Sequence, residues 1–435
     1  MAVLILDKRK NPLMPCSEKR ARLLLERGRA RVHRKAPFII RLVDRGVEDS
    51  ALQPLRLKLD PGSKTTGIAL VRERETVDPA TGKSTRAQAV VFLAELAHRG
   101  HLIRDRLTAR RAFRRRRRGT LRYRAPRFLN RTRPRGWLAP SLRHRVDTTM
   151  AWVDRLMRWA PVAGLSTLLH RFDTQALQNP EISGIEYQQG TLTGYEVREY
   201  LLEKWGWRCA YCDVENVPLT VDHIHPKSRG GSDRVSNLAL ACVPCNQRKG
   251  NRDVTEFLLH DPKRLAHIEA QRKAPLKDAA AVNSTRWALL GRLKETGLDV
   301  EVGTGGRTKY NRARQQCPKT HWVDAACGGP PGALVRLDPE TKPLAIRATG
   351  HGERQRARLN RYGFPRGHKP RRRSFLGWRT GAIARCDKPG VRAFVGRVAI
   401  RFRPSFVITG PDGKKAETHP KYLHIVQKGD GYAYA

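Results

Sequence analysis

Residues 55–62 read Leu55-Arg56-Leu57-Lys58-Leu59-Asp60-Pro61-Gly62, and a second apolar run, Ile68 to Val71, follows them. Leucine at every second position gives a strand one apolar face, and this strand ends on a carboxylate beside a Pro-Gly turn. Pro79-Ala80-Thr81-Gly82 is turn chemistry between Thr76-Val77 and Ala89 to Leu93. A hairpin over Glu75 to Leu96 is therefore expected, which makes three adjacent antiparallel strands. Further along, an amphipathic helix over 141–160 precedes a buried strand at Val162 to Leu169, and Leu298 to Val302 reads as another strand.

Outward from this core, Val3 to Leu6 reads as a strand and Asn11-Pro12-Leu13-Met14-Pro15 as a turn. Ser17 caps a helix that runs to about Arg27 and stops at Gly28. Helices are expected at Tyr195 to Trp205, Val254 to Ala274 and Asn283 to Glu295. A Gly-rich turn then leads to a helix starting near Thr320. The tail from Asp338, rich in Gly, Pro and Arg, reads as a small β domain with short strands such as Val395 to Arg401.

Composition narrows the partners. The 435 residues carry 86 Lys+Arg against 40 Asp+Glu, a formal charge of +46, and the hydrophobic fraction of 39% suffices for several small cores. Charge of one sign on this scale binds and steers polyanions, which points to nucleic acid, with an acidic membrane surface as the weaker alternative. Between Arg104 and Arg135 stand fifteen arginines against one acid, Asp105. The part through Arg118 lacks Gly and Pro and could form one helix, whose i,i+4 repulsion a polyanion would relieve. A solvated basic arm is the other reading. No signal-peptide core or spanning run is present, so an intracellular protein is expected.

Cys209-Ala210-Tyr211-Cys212 and Cys242-Val243-Pro244-Cys245 are two Cys-x-x-Cys pairs 29 residues apart, able to give four thiolates to one tetrahedral, structural Zn²⁺. The remaining four of the eight cysteines lie scattered as free thiols. Between and beyond the pairs come Thr220-Val221-Asp222-His223-Ile224-His225, then Gly230-Gly231, Ser236-Asn237-Leu238 and Cys245-Asn246-Gln247-Arg248-Lys249-Gly250. A strand can deliver Asp222 and His223, and a helix beginning near Val243 can return Asn246 to the same point. This order resembles the HNH nucleases and their ββα-metal motif. That resemblance implies His223 as the general base, Asp222 and Asn246 as holders of one Mg²⁺, and Asn237 as a brace for the histidine loop. His225 is either a bystander or a second metal contact. A zinc-stapled DNA-binding module without catalysis would not need Asp-His and Asn at these positions.

His321-Trp322-Val323-Asp324 places His321 and Asp324 at i,i+3 on one helix face. Asp60, His321 and Asp324, on either side of the HNH segment, resemble a split RuvC nuclease of the RNase H-like fold, which implies Mg²⁺ at Asp60 and Asp324. Gly62 to Gly67 has only the first spacing of a phosphate-binding loop, because Ile68 stands in place of its lysine.

Together with Pro12-Leu13-Met14-Pro15, Asn179-Pro180-Glu181-Ile182-Ser183-Gly184, Tyr187-Gln188-Gln189-Gly190 and Tyr362-Gly363-Phe364-Pro365-Arg366-Gly367, these features resemble the IscB family over nearly the whole chain. Those proteins are transposon-encoded, RNA-guided DNA nucleases related to the type II CRISPR effectors. The implied architecture is an α+β multidomain chain: an RNase H-like (RuvC) core, an inserted zinc-stapled HNH domain, an arginine-rich bridge helix and a small C-terminal β domain. The implied boundaries are 1–52 (PLMP domain), 53–100, 137–192 and 259–336 (RuvC segments), 101–136 (bridge helix), 193–258 (HNH) and 337–435 (RNA and target-adjacent-motif contacts). Arg110, Arg111, Arg114, Arg115, Arg116, Arg117 and Arg118 would grip RNA phosphates. The implied partners are a guide RNA of the omega RNA type and double-stranded DNA, without a membrane, with one protein chain per RNA in the prokaryotic cytoplasm or nucleoid.

One position departs from the family pattern. In Leu165-Ser166-Thr167-Leu168-Leu169-His170-Arg171-Phe172, Leu168 stands where the family places a metal-binding glutamate, so the RuvC site is expected to be impaired while the HNH site cuts the guide-paired strand. An unguided HNH endonuclease and a guided binder with little cleavage are the rival readings.

Overall fold

The computed structural model describes residues 2–77, 84–121, 134, 136–169, 201–202, 204–272, 277–338, 341–350, 357–362, 364–368, 374–401, 405–410 and 412–435. Two compact units share the chain: Met1–Leu168, Leu289–Gly303 and Arg307–Ala435 form the first, Leu169–Ala288 and Thr304–Gly306 the second. The expected Pro79–Gly82 turn, most of the Tyr195 to Trp205 helix and the arginines at 122–133 fall outside the described residues.

The first unit begins with β1 (Val3–Leu6), β2 (Pro12–Cys16), α1 (Glu18–Glu26), β3 (Ala30–Arg34) and β4 (Ile39–Leu42), the strands ordered β2-β1-β4-β3. Ser17 caps α1 by accepting from the Arg20 amide, and Gly28 leaves it with φ +68°. Residues 12–16 are a strand, not the expected turn. Asp7 closes the turn earlier, its Oδ1 accepting from the Arg9 and Asn11 amides at 2.8 and 2.7 Å. Two prolines are tolerated in β2 because it is an edge strand, where a missing N–H interrupts no ladder on its outer side.

Strands β5 (Leu55–Pro61), β6 (Thr65–Val77) and β7 (Ser84–Ala97) pair as the expected antiparallel meander. Next come α2 (Gly100–Arg116) with a π-type turn at Arg117–Leu121, α3 (Pro140–Trp159) and β8 (Val162–Leu168), which returns parallel to β5. Arg110, Arg111, Arg114, Arg115 and Arg116 are exposed on α2, while Arg117 and Arg118 are half-buried.

Within the second unit, β9 (Leu219–His223) and β10 (Leu238–Cys242) form an antiparallel hairpin followed by α4 (Val243–Lys249), α5 (Val254–Phe257) and α6 (Pro262–Arg272). The single helix expected over 254–274 is thus broken. Pro262 pushes Asp261 out of helical geometry, and Asp261 Oδ1 caps the new helix through the Arg264 amide at 2.9 Å. Leu201, Trp205, Tyr211, Ile224, Leu240, Leu258 and Ile268 are among the residues that fill this unit's core.

After α7 (Lys277–Lys294), β11 (Asp299–Gly303) pairs parallel with β8. The expected Gly-rich turn is only the entry to a helix, α8 (Gly305–Arg314). Its buried Asn311 donates through Nδ2 to the Cys327 and Gly329 carbonyls at 2.9 and 2.8 Å, tertiary contacts that outweigh the poor helix propensity of two glycines. Helix α9 (His321–Cys327) starts where expected, and Thr320 is its N-cap.

Strands β12 (Val335–Arg336) and β13 (Leu344–Ala348) join β7. A hairpin of β14 (Ala357–Leu359) and β15 (Pro365–His368) precedes a five-stranded sheet of β16 (Ile383–Cys386), β17 (Phe394–Ala399), β18 (Phe406–Thr409), β19 (Lys415–Thr418) and β20 (Leu423–Gln427). β21 (Tyr432–Tyr434) then pairs with β13, so the large sheet runs β11-β8-β5-β6-β7-β13-β21 and the tail is divided among three sheets. Asp430 locks this return, meeting Arg34 at 2.5 Å and Arg155 at 3.1 Å, while Tyr432 and Tyr434 pack edge-on against Trp152.

Where β7 ends against α3, His98 is fully buried with Nε2 2.7 Å from Thr66 Oγ1, and its ring meets His144 edge-on. Burial pushes the imidazole of His98 down to about 3 and that of His144 down to about 4. Unfolded imidazoles titrate near 6.5, so on acidification the unfolded chain takes up protons first and the fold loses stability as pH falls from about 6.5 toward 4. Melting temperatures of wild type and of a His98→Gln, His144→Gln variant, measured across that window, should show a shallower acid loss in the variant.

Candidate metal and nuclease centres

The four thiols of the second unit converge. Cys209 and Cys212 lie on a turn pinned by the Ala210 amide donating to the Leu240 carbonyl at 2.7 Å. Cys242 ends β10 and Cys245 lies in the first turn of α4. All four Sγ atoms lie within 4.8 Å of one another, and Cys212 and Cys242 approach to 3.7 Å. Zn–S bonds of ~2.3 Å in a tetrahedron require sulfur atoms about 3.8 Å apart, so the set fits Zn²⁺.

Strand alternation sends the side chains beside this staple to opposite sides. Asp222 is buried, accepting at Oδ2 from the Tyr211 hydroxyl at 2.5 Å with Lys249 Nζ 3.3 Å away. Burial and the Asp222 carboxylate hold the Tyr211 phenol far above its ordinary range, so it stays a donor. Asn246, one helical turn before Lys249, donates through Nδ2 to Thr220 Oγ1 at 3.0 Å. Thr220 shares the strand face of Asp222, so Asn246 comes to the carboxylate's side with its amide oxygen uncommitted by that bond. An acid and an amide oxygen suit a hard cation such as Mg²⁺.

His223 points the other way, its Nε2 2.8 Å from Asp233 Oδ1, and Lys227 meets the same carboxylate at 2.9 Å. Asn237 braces the loop between, accepting from the His225 amide and donating to the His225 and Ser232 carbonyls, each at 2.9 Å. His225 places Nδ1 2.6 Å from Asp253 Oδ2 and Nε2 2.9 Å from the Arg229 carbonyl oxygen. Two acceptors favour two ring N–H groups, and the Asp253 hydrogen bond raises the pKa of His225. Both nitrogens are therefore engaged, one by the cap of α5 and one by the loop itself.

A second cluster lies on the large sheet. Asp60, 3% exposed, has Oδ2 2.7 Å from His321 Nδ1. Asp324 is buried, with Arg312 Nε at 2.9 Å and Lys319 Nζ at 2.7 Å, and desolvation raises its pKa. The backbone of α9 reaches this position because residue 67 is glycine, where a Cβ would overlap the His321 carbonyl. From below, fully buried Lys58 donates to the Ala326 carbonyl at 2.6 Å and to Gln88 Oε1 at 2.7 Å, and burial depresses its pKa to about 8. The register Lys58↔Ser166, Leu59↔Thr167 leaves Leu168 next to Asp60 on the same face. Leu168 is 2% exposed, and its Cδ2 lies 2.7 and 2.8 Å from where side chains on Gly303 and Gly328 would begin.

Tyr211, Lys249, Asp233, Arg312 and Lys319 were not singled out by sequence. Only Lys249 carried a readable signal, its i,i+3 spacing from Asn246.

Residues 3–190 match the family described as RRXRR protein, and residues 209–252 match the HNH endonuclease family. No curated protein matches the chain. Among solved structures, Streptococcus thermophilus Cas9 in complex with the GGAA PAM is 15% identical over 60% of this chain and 32% of that one, with a TM-score of 0.22. The type II-C Cas9 from Actinomyces naeslundii is 17% identical over 43% of this chain and 31% of that one, with a TM-score of 0.17. The chain spans about a third of the length of these structures. Residues 209–252 are an HNH endonuclease domain.

If the thiol cluster is the staple described, protein purified in the presence of zinc should hold about one Zn²⁺ per chain by elemental analysis, lost in Cys209→Ser. Proteolysis of that variant should then begin within 204–258, where the domain's small core cannot offset the missing metal.

Proposed function

We propose that the chain is an RNA-guided DNA endonuclease of the IscB type, with the HNH centre cutting the guide-paired strand and the RuvC centre impaired. The observation that carries this reading is the insertion of the HNH unit between β8 and β11, the two strands that extend the β5–β7 meander. A three-stranded antiparallel meander continued by two parallel strands is the order expected of an RNase H-like core, and Asp60, His321 and Asp324 gather on one of its faces. Support for a polyanion partner comes from the exposed arginines of α2 and the charge of +46. No described helix is long and apolar enough to cross a membrane.

At the HNH centre, a phosphodiester lying across the end of β9 would meet Asp222 and Asn246 on one side and His223 on the other. His223 would take a proton from water as its oxygen attacks phosphorus and the bond to the 3′ oxygen breaks. Asp233 accepts at Nε2, which would leave Nδ1 for that proton and hold the imidazolium that forms. Asp222 and Asn246 would hold Mg²⁺, which when bound stabilises the leaving oxygen. Tyr211 and Lys249 keep the Asp222 carboxylate in place. The second cluster does not suit a two-metal set, because Leu168 offers only hydrocarbon beside Asp60. No chemical step is assigned there.

With co-expressed RNA, Mg²⁺ and a matched supercoiled plasmid, the protein should nick one strand, and His223→Ala should slow this about 100-fold or more. Nicking that persists after removal of the RNA would support an unguided enzyme. Leu168→Glu should raise cutting of the displaced strand, and equal cutting of both strands by wild type would refute an impaired second site.

A further inference from the structure

The turn joining β14 to β15 is held from within. Asn360 Oδ1 accepts from the Tyr362 and Phe364 amides at 3.0 and 2.9 Å, and the Asn360 amide donates to the Phe364 carbonyl at 2.9 Å. These bonds tie Tyr362 and Phe364 back to Asn360, and the Tyr362 side chain is 36% exposed. The Arg361 guanidinium stands 4.6 Å from the ring centroid and donates to the phenol oxygen, so a cation covers one face of the ring. Every charged residue described in the hairpin is basic: Arg358, Arg361 and Arg366, with His368 beside them. Phe364 lies 5.8 Å beneath the Arg117 guanidinium, which places the turn beside the end of the arginine helix.

We infer that this turn is a stacking platform for one unpaired nucleobase, received on the open face of Tyr362 while Arg358 and Arg366 meet the neighbouring phosphates. The inference rests on the nucleic-acid reading proposed above and adds a specific contact to it. A rigid exposed aromatic ring among cations suits a base because every base has a π-face, and the Arg361 cation behind the ring strengthens the sandwich. Pre-fixing the turn removes part of the ordering cost of binding.

The test uses the full-length protein with single-stranded probes carrying 4-thiouridine (RNA) or 4-thiothymidine (DNA). Photo-crosslinks are mapped by mass spectrometry, and affinities are measured across a salt series. Wild type should crosslink at the peptide containing Tyr362, and the arm that does so names RNA or DNA as the source of the base. Tyr362→Ala should lose that crosslink and bind about 5- to 150-fold more weakly with an unchanged salt slope, since no phosphate contact is removed. Tyr362→Phe should retain both properties, and Arg366→Ala should reduce the slope by about one counterion. Unchanged affinity and crosslinking in Tyr362→Ala would overturn the platform while leaving the guided-nuclease reading intact. Failure of wild type to bind either probe at low salt would overturn both.

Discussion

Strand β5 lies in the middle of the large sheet, and the face it turns toward α9 carries Arg56, Lys58 and Asp60, all buried. Buried charges are costly unless each finds a partner of opposite charge or a full set of hydrogen bonds. Each is met by a different element. Arg56 reaches Glu73 on β6, the Leu165 carbonyl on β8 and Asp299 on β11. Lys58 reaches Gln88 on β7 and the end of α9, and Asp60 reaches His321 at the start of α9. Meeting these three demands sets the sheet order around β5 and seats α9 on its face.

The HNH unit solves a different problem. Its core is small, and the ββα hairpin that carries Asp222 and Asn246 gains rigidity from the thiol cluster at one end and from Asn237, His225 and Asp253 at the other. Asp222 is a buried acid in the same sense as Asp60, and Tyr211 and Lys249 supply its partners. Both clusters therefore show buried carboxylates held in place by side-chain donors from neighbouring elements.

Much of this was legible in the residues. The leucine alternation of 55–60, the Ser17 cap, the paired cysteines and the arginine run each encode a local rule, and the corresponding strand, helix, thiol cluster and exposed basic helix are present. Where local rules misled, a distant contact outweighed them. Pro12 suggested a turn until Asp7 closed one earlier and an edge position removed the need for its N–H. Gly305 and Gly306 suggested a turn until Asn311 anchored α8 to the loop after α9.

The amino-acid sequence by itself determined which chemistries are available: four thiolates at metal spacing, an Asp-His pair with a returning Asn, and a strand that ends on a carboxylate. It also determined that a leucine, which offers no oxygen, occupies the end of β8. Tertiary structure alone decided which side of each element those groups face and what neutralises them. Lys319 and Arg312 fall on Asp324, Lys249 on Asp222 and Asp233 on His223. Those partners lie up to 27 residues away in the chain. The reason is physical: a burial penalty is met by whichever group the packed chain brings within reach, and no short-range periodicity encodes that reach.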